Sequence, residues 1–181
     1  TLPHPSTINL LDGTRVTLRT MQTEDSTREQ EFVKGLSIKS RHLRFFSVIK
    51  NISPGMIERF TNPDYPENYA LVATVMVSSR ETQIGVARYL PTSVDEVVEF
   101  AVVIADKWQG LGLATHLLSA LTNAAAMAGL KKQEGLVLRD NKAMLNLAEK
   151  MGFTRTRYTY DDATLIRVIK TLNAHSEPEG K

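Results

Sequence analysis

Apolar and polar residues alternate through "RVTLRTM", residues 15–21, after the turn "LLDGT", and this period of two predicts a first strand. The pattern then changes. In "EDSTREQEFVKGLS", Phe32, Val33 and Leu36 form an apolar stripe at helical spacing, with Ser26 and Glu29 set as a capping box. "SIKSRHLRFFS" reads as a short irregular helix, and "SPGMIERF" as another, capped by Ser53 with Pro54 at its first position. Beyond the loop "NPDYPEN", the runs "YALVATVMV" and "TQIGVARYL" flank a polar "SSRE", the pattern of an antiparallel hairpin. "VVEFAVVIA", residues 97–105, is nearly all apolar and predicts a strand buried on both faces.

The second half of the chain alternates helix and strand. After "WQGLGLAT", Leu113, Leu117 and Leu121 line one helical face, and Gly129 is placed to end it. "KKQEGLVLR" predicts a strand. "DNKAMLNLAEKMGF" predicts a helix opened by Asp140 and Asn141 and stopped at Gly152. "TRTRYTYDDATLIRVIKTL" closes with two strands about "DDA", and the polar residues 173–181 read as a disordered tail. This order predicts one α/β (α+β) domain over 1–181, with its core at about 16–170. Its sheet is mixed and mostly antiparallel, of six to seven strands, with helices on both faces.

Composition narrows the chemistry. The 181 residues carry a net charge of +2 and contain no long basic run, so nothing favours nucleic acid. The sequence has no apolar run of membrane-spanning length and no signal-peptide pattern, which reads as cytoplasmic. There is no cysteine, hence no disulfide, thiolate metal site or acyl-cysteine intermediate. The four histidines lack ligand-pair spacing, so no metal is expected.

The glycines of "WQGLGLAT" are the sharpest local signal. The turn lacks the GK[ST] of a Walker loop and the third glycine of a dinucleotide fingerprint. It still opens a long helix without a Ser, Thr, Asp or Asn cap, leaving first-turn amides bare behind Gly110, Gly112 and Ala114. Bare amides at the positive end of a helix dipole favour an anion, and a pyrophosphate fits.

"EFAVVIADKWQGLGLATHLL" resembles the acyl-CoA-binding segment of the GNAT N-acyltransferases. Gln109, Gly112 and Ala114 meet the family pattern Gln/Arg-x-x-Gly-x-Gly/Ala, and Asn141 with Gly152–Phe153 meets a second signature. The resemblance spans roughly Val16 to Ile169. "LSIKSRHLRFF" and "IGVARY" are similar, within that superfamily, to bacterial protein lysine acetyltransferases acting on acyl-CoA synthetases. The resemblance implies that the backbone of Val102, Val103 and Ile104 pairs with pantetheine. It further implies that Gln109, Gly110, Leu111, Gly112, Leu113, Ala114 and Thr115 hold the pyrophosphate, and that Asn141 reaches the pantetheine region or simply caps its helix.

It also implies Glu99 as the general base. An acceptor ammonium, with a pKa of about 10.4, must lose its proton before it can attack. Glu99 is a carboxylate within an apolar strand, where partial burial raises its pKa toward the useful range. Glu96 is the fallback, and the N–H of Val103 is a candidate oxyanion donor. Where many relatives carry a tyrosine as general acid, this chain has Ala148. Tyr158 and Tyr160 are substitutes whose plainer role is strand packing. Arg41, Arg44, Phe45 and Phe46 lie where the family shapes its acceptor groove, although core and solvated roles fit them too. Trp108 reads as packing beside the turn, and His116 as a surface residue.

The sequence therefore predicts an N-acetyltransferase that moves an acetyl group from acetyl-CoA to a primary amine, with a protein lysine, such as one on an acyl-CoA synthetase, as first choice. A small-molecule amine acceptor, a non-catalytic acyl-CoA sensor and a nucleotide-binding module are the rivals.

Overall fold

The structure is a computed structural model that describes residues 4–38, 40, 66, 68–156 and 164–173. Its strands are β1 (Ser6–Asn9), β2 (Arg15–Thr20), β3 (Tyr69–Val77), β4 (Arg80–Pro91), β5 (Val97–Ile104), β6 (Lys132–Leu138), β7 (Thr154–Thr156) and β8 (Leu165–Thr171). Three α-helices lie among the described residues: α1 (Ser26–Lys34), α2 (Leu113–Met127) and α3 (Lys142–Lys150). Short 3₁₀ turns at Thr23–Asp25 and Asp106–Trp108 precede α1 and α2.

All eight strands form one sheet in the order β1-β2-β3-β4-β5-β6-β8-β7. Every pairing is antiparallel except β5 with β6. The predicted mixed sheet is present with one strand more than expected. The extra strand is β1, whose "STIN" has a single apolar residue, and its edge position leaves it mostly exposed, so no periodic signal marked it.

Period two sorts β5 between two cores. Val98, Phe100, Val102 and Ile104 pack with Leu113, Leu117, Leu118, Leu121, Leu145, Ala148 and Phe153, so α2 and α3 cover that face. Val103 packs on the other face with Phe32, Val33 and Leu36 around α1. Each fully buried leucine of α2 contributes roughly 1.5–3 kcal/mol, which makes this helix the main anchor of its layer.

The helix ends follow their sequence signals. After α2, Gly129 donates to Ala126 O at 3.1 Å and Leu130 to Ala125 O at 3.2 Å, a Schellman stop. After α3, Gly152 donates to Glu149 O and Phe153 to Ala148 O, in the same arrangement.

The start of α1 differs from expectation. Ser26 is already helical, and the Gln22 N–H donates to Asp25 Oδ2 at 2.8 Å. Glu29 is fully buried, accepts from Gln83 Nε2 at 2.5 Å and lies 3.9 Å from Arg88, so tertiary contacts take the place of the capping box. Of the "SIKSRHLRFFS" helix, Ile38 and Ser40 are helical. Arg41, Arg44, Phe45, Phe46, the Ser53 cap, Tyr158, Tyr160 and the tail beyond Asn173 lie outside the described residues. No helix among the described residues is long and apolar enough to cross a membrane.

Candidate active site

The one parallel contact in the sheet is short. β5 and β6 pair only at Val97↔Lys132, Val98↔Gln133 and Glu99↔Glu134. Beyond that point β5 continues on β4 as far as Ile104↔Gly85, and β6 continues on β8 as far as Leu138↔Leu165. Each strand keeps its outer partner while the two separate, so the sheet forks after Glu99 and Glu134.

Strand alternation fixes which backbone groups face the fork. Ala105 donates to Ile84 O and Thr92 donates to Val97 O, so odd-numbered residues of β5 turn their backbone groups toward β4. Even-numbered residues therefore turn theirs toward β6. Val102 and Ile104 present theirs where β6 has parted from β5. The Val103 N–H faces β4, which corrects two expectations from sequence: its backbone is turned away from the fork where pantetheine pairing was expected, and its amide is no oxyanion donor.

A cleft of about 420 Å³ fills the fork and runs to the glycine turn. Of the residues singled out from sequence, Val102, Val103, Ile104, Gln109, Gly110, Gly112, Leu113, Ala114, Thr115 and Asn141 line it. Leu111 and Glu99 do not. Leu111 packs against the core and accepts from the Leu11 N–H at 3.0 Å, so the β1–β2 turn braces the glycine turn from outside.

Gly112 is the N-cap of α2 in a left-handed conformation, φ +88°, with no side chain capping the helix. The first-turn amides of α2 thus have no intrahelical acceptor and stand at the positive end of its dipole. Gly110 is also left-handed, φ +77°. Gln109 does not point its side chain at a ligand. Its Nε2 donates to Ile104 O at 3.0 Å and to Ser40 Oγ at 3.4 Å, tying the turn to the end of β5. Ser40, buried and part of the cleft wall, also donates to Asp106 Oδ1 at 2.8 Å, and that bond holds the Asp106 carboxyl below its ordinary pKa. Sequence reasoning missed Ser40 because one serine in "SIKSR" carries no pattern.

Asn141 caps α3, its Oδ1 accepting from Met144 N–H at 3.3 Å, while it also lines the cleft. Ala148 is fully buried in the core, and Leu147 and Lys150 from the same helix reach the cleft instead. Trp108 lines the cleft, with Lys107 Nζ 5.7 Å from its ring centroid, and His116 is exposed.

Glu99 sits at the last paired position before the fork, half-buried, on the face away from α2 and α3. Burial pushes its carboxyl above the ordinary value, and the charge of Glu134 on the neighbouring strand adds to the rise. Glu134 is itself ion-paired to Arg167 of β8. The fallback Glu96 stands in the turn before β5 at φ +61°, exposed and paired with Lys131 at 2.5 Å. That geometry makes it a surface ion pair outside the fork.

Known proteins share this fold and identify its family. The chain matches the Acetyltransferase (GNAT) domain over residues 15–154. A curated acetyltransferase of Pseudomonas aeruginosa is 34% identical over 158 residues, covering 87% of this chain and 84% of that one. The GNAT domain of Streptomyces lividans PAT superposes with a TM-score of 0.85 at 25% identity, covering 95% of this chain and all of that one (100%). A Salmonella typhimurium protein solved with its cofactor acetyl-CoA shares the fold, with a TM-score of 0.66 at 20% identity over 92% of this chain and 99% of that one. With its sheet forked between β5 and β6 and a glycine turn opening α2, the chain belongs to the GNAT family of acetyltransferases, enzymes that take their acetyl group from acetyl-CoA.

Proposed function

We propose that this acetyltransferase acts on a primary amine, with a protein lysine as acceptor, and that Glu99 is its general base. The observation that carries the base is its position: a half-buried carboxyl of raised pKa at the last pair before the fork. A carboxylate whose pKa is moved toward neutrality accepts a proton from an ammonium group with less penalty than an exposed one.

The residues present fit acetyl-CoA. Val102 offers its fork-facing N–H and carbonyl, and Ile104 its N–H, to an amide-bearing arm, as one more strand edge would, while Gln109 holds the Ile104 carbonyl. The amides from Gly110 to Thr115 fit a pyrophosphate, because Gly110 and Gly112 put no side chain over them and the helix dipole favours the charge. Asn141 and Lys150 line the same cleft and offer an amide and a cation. When bound, acetyl-CoA supplies an activated thioester carbonyl. The chain's own part is to hold that carbonyl near the start of the fork, with the Val102 N–H as the first free amide beyond Glu99 and hence the oxyanion donor. Glu99, on the opposite face, takes the proton of the incoming amine. A thiol with a pKa near 8.5 leaves without a protein acid, which suits a chain with Ala148 buried at the tyrosine position.

What supports a protein lysine is the resemblance of "LSIKSRHLRFF" and "IGVARY" to the bacterial protein lysine acetyltransferases, together with the likeness to the PAT domain. The test is thiol release from acetyl-CoA with an acyl-CoA synthetase and a panel of small amines as acceptors. Glu99→Gln is expected to lose about 10²-fold or more in turnover with CoA affinity intact by calorimetry. Wild-type turnover on small amines alone would move the acceptor to that class. An unimpaired Glu99→Gln enzyme would remove Glu99 as the base.

A further inference from the structure

Phe100 and Gly135 are the first residues of β5 and β6 beyond their last pair. Each follows a paired residue, Glu99 or Glu134, so both turn to the face that carries α2 and α3. They do not share that space evenly. A Cβ on Gly135 would stand 2.5 Å from Cε1 and Cζ of Phe100, so the phenyl ring lies directly over the Gly135 backbone. Phe100 lines the cleft, whereas on β6 the lining begins one residue later, at Leu136. Phe100 thus stands in the cleft wall where the strands part, with its ring laid over the Gly135 backbone. It is also held in place: Phe100 is buried, and its ring meets that of buried Phe153 edge-on, with centroids 5.2 Å apart at 67°.

On the reading of the fork given above, a thioester whose carbonyl lies at the Val102 N–H would have its acyl group beside Phe100, the cleft residue next to the last strand pair. We propose that Phe100, laid over Gly135 and braced by Phe153, is the specificity-determining residue that limits the donor to a short acyl group. The inference rests on the reading of the fork as the acyl-CoA site. A methyl group needs only the space in front of the ring. Each further methylene has to displace the phenyl from the pocket that Gly135 leaves for it, against the packing of Phe153. Close-packed interiors resist such insertion, and one methylene in a shaped pocket changes selectivity by about 10–200-fold.

The experiment is a chain-length series on the full protein: CoA, acetyl-, propionyl-, butyryl- and hexanoyl-CoA, titrated by calorimetry without acceptor and then assayed for thiol release with the best acceptor. Two variants are compared with wild type, Phe100→Ala and Phe100→Leu, the second keeping most of the core volume so that a folded protein is in hand. Wild type is expected to fall by about 10²-fold in kcat/KM from acetyl to butyryl and to gain no affinity from the longer chain. Phe100→Leu should extend the accepted length by one or two methylenes. Phe100→Ala, where folded, should reduce the acetyl-to-butyryl ratio at least about tenfold and bind butyryl-CoA more tightly than CoA. A flat wild-type series, or an unchanged profile in folded variants, overturns the gate while leaving the cleft as the CoA site. Failure of wild type to bind CoA or acetyl-CoA at all overturns the site and the gate together, so the two failures are distinct.

Discussion

Glu99 bears on the stability of the fold, whatever its part in turnover. Its carboxyl is raised above the ordinary 4.5 by burial first and by the charge of Glu134 second. The native state therefore binds that proton more tightly than the unfolded chain does. The resulting contribution favours folding at pH below the unfolded value and is lost as pH rises through the folded value. At neutral pH the ionised Glu99 is thus a cost to the fold. Glu99→Gln is expected to melt higher than wild type at pH 7–8, with the difference closing at about pH 4 and below. Thermal melts of both proteins across that range check the sign, and a variant that melts lower at pH 8 would show that Glu99 is held by favourable contacts. The carboxylate itself was legible in the sequence, as the one charge in an apolar strand. Its surroundings were not: Glu134 reaches it only through the β5–β6 pairing, and Arg167 reaches Glu134 through the β6–β8 pairing, neither of which one strand encodes by itself. The Val103 amide was misread as facing the fork for a related reason. Which way an amide faces depends on the partner strand, and side-chain pattern says nothing about it.

At the level of elements, the candidate site is the gap between two strands plus the start of one helix. The glycine turn was legible because positive φ selects glycine, and the helix after it was legible from its leucines. The fork was not, since β5 and β6 each read as continuous strands. Gly112 ties these parts together. At φ +88°, an alanine there is strained by about 1–2 kcal/mol. Space is not the obstacle, since the nearest atom to a new Cβ is Leu11 Cγ at 3.6 Å, an ordinary contact. Gly112→Ala is therefore expected to lower Tm by roughly 2–4 °C per kcal/mol and to weaken CoA binding as the turn relaxes. Calorimetry on Gly112→Ala reads both. Wild-type affinity in a destabilised variant would separate the turn's conformation from its role as anion cradle.

The whole molecule divides its labour across the sheet. Strands β1 to β5 form a continuous antiparallel platform, and β6, β8 and β7 form a second block whose strand pairing with it is limited to three residue pairs. One four-residue ion network ties α1 to the platform: Arg19 bridges Asp25 and Glu81 at 2.6 and 2.9 Å, and Arg28 joins the same carboxylates. Helix α2 packs across β3, β4 and β5, so the amides at its start are held fixed relative to the fork. Such a frame presents donors already oriented, which reduces the ordering cost of binding. The direct test of this account is amide hydrogen exchange with and without acetyl-CoA. Protection is expected at Val102, Ile104 and residues 110–115, with β1, β2, α1 and the β4-facing amide of Val103 unchanged. Absence of protection at those two segments, or protection confined to the α1 face, would contradict the assignment of the fork and the glycine turn as the acetyl-CoA site.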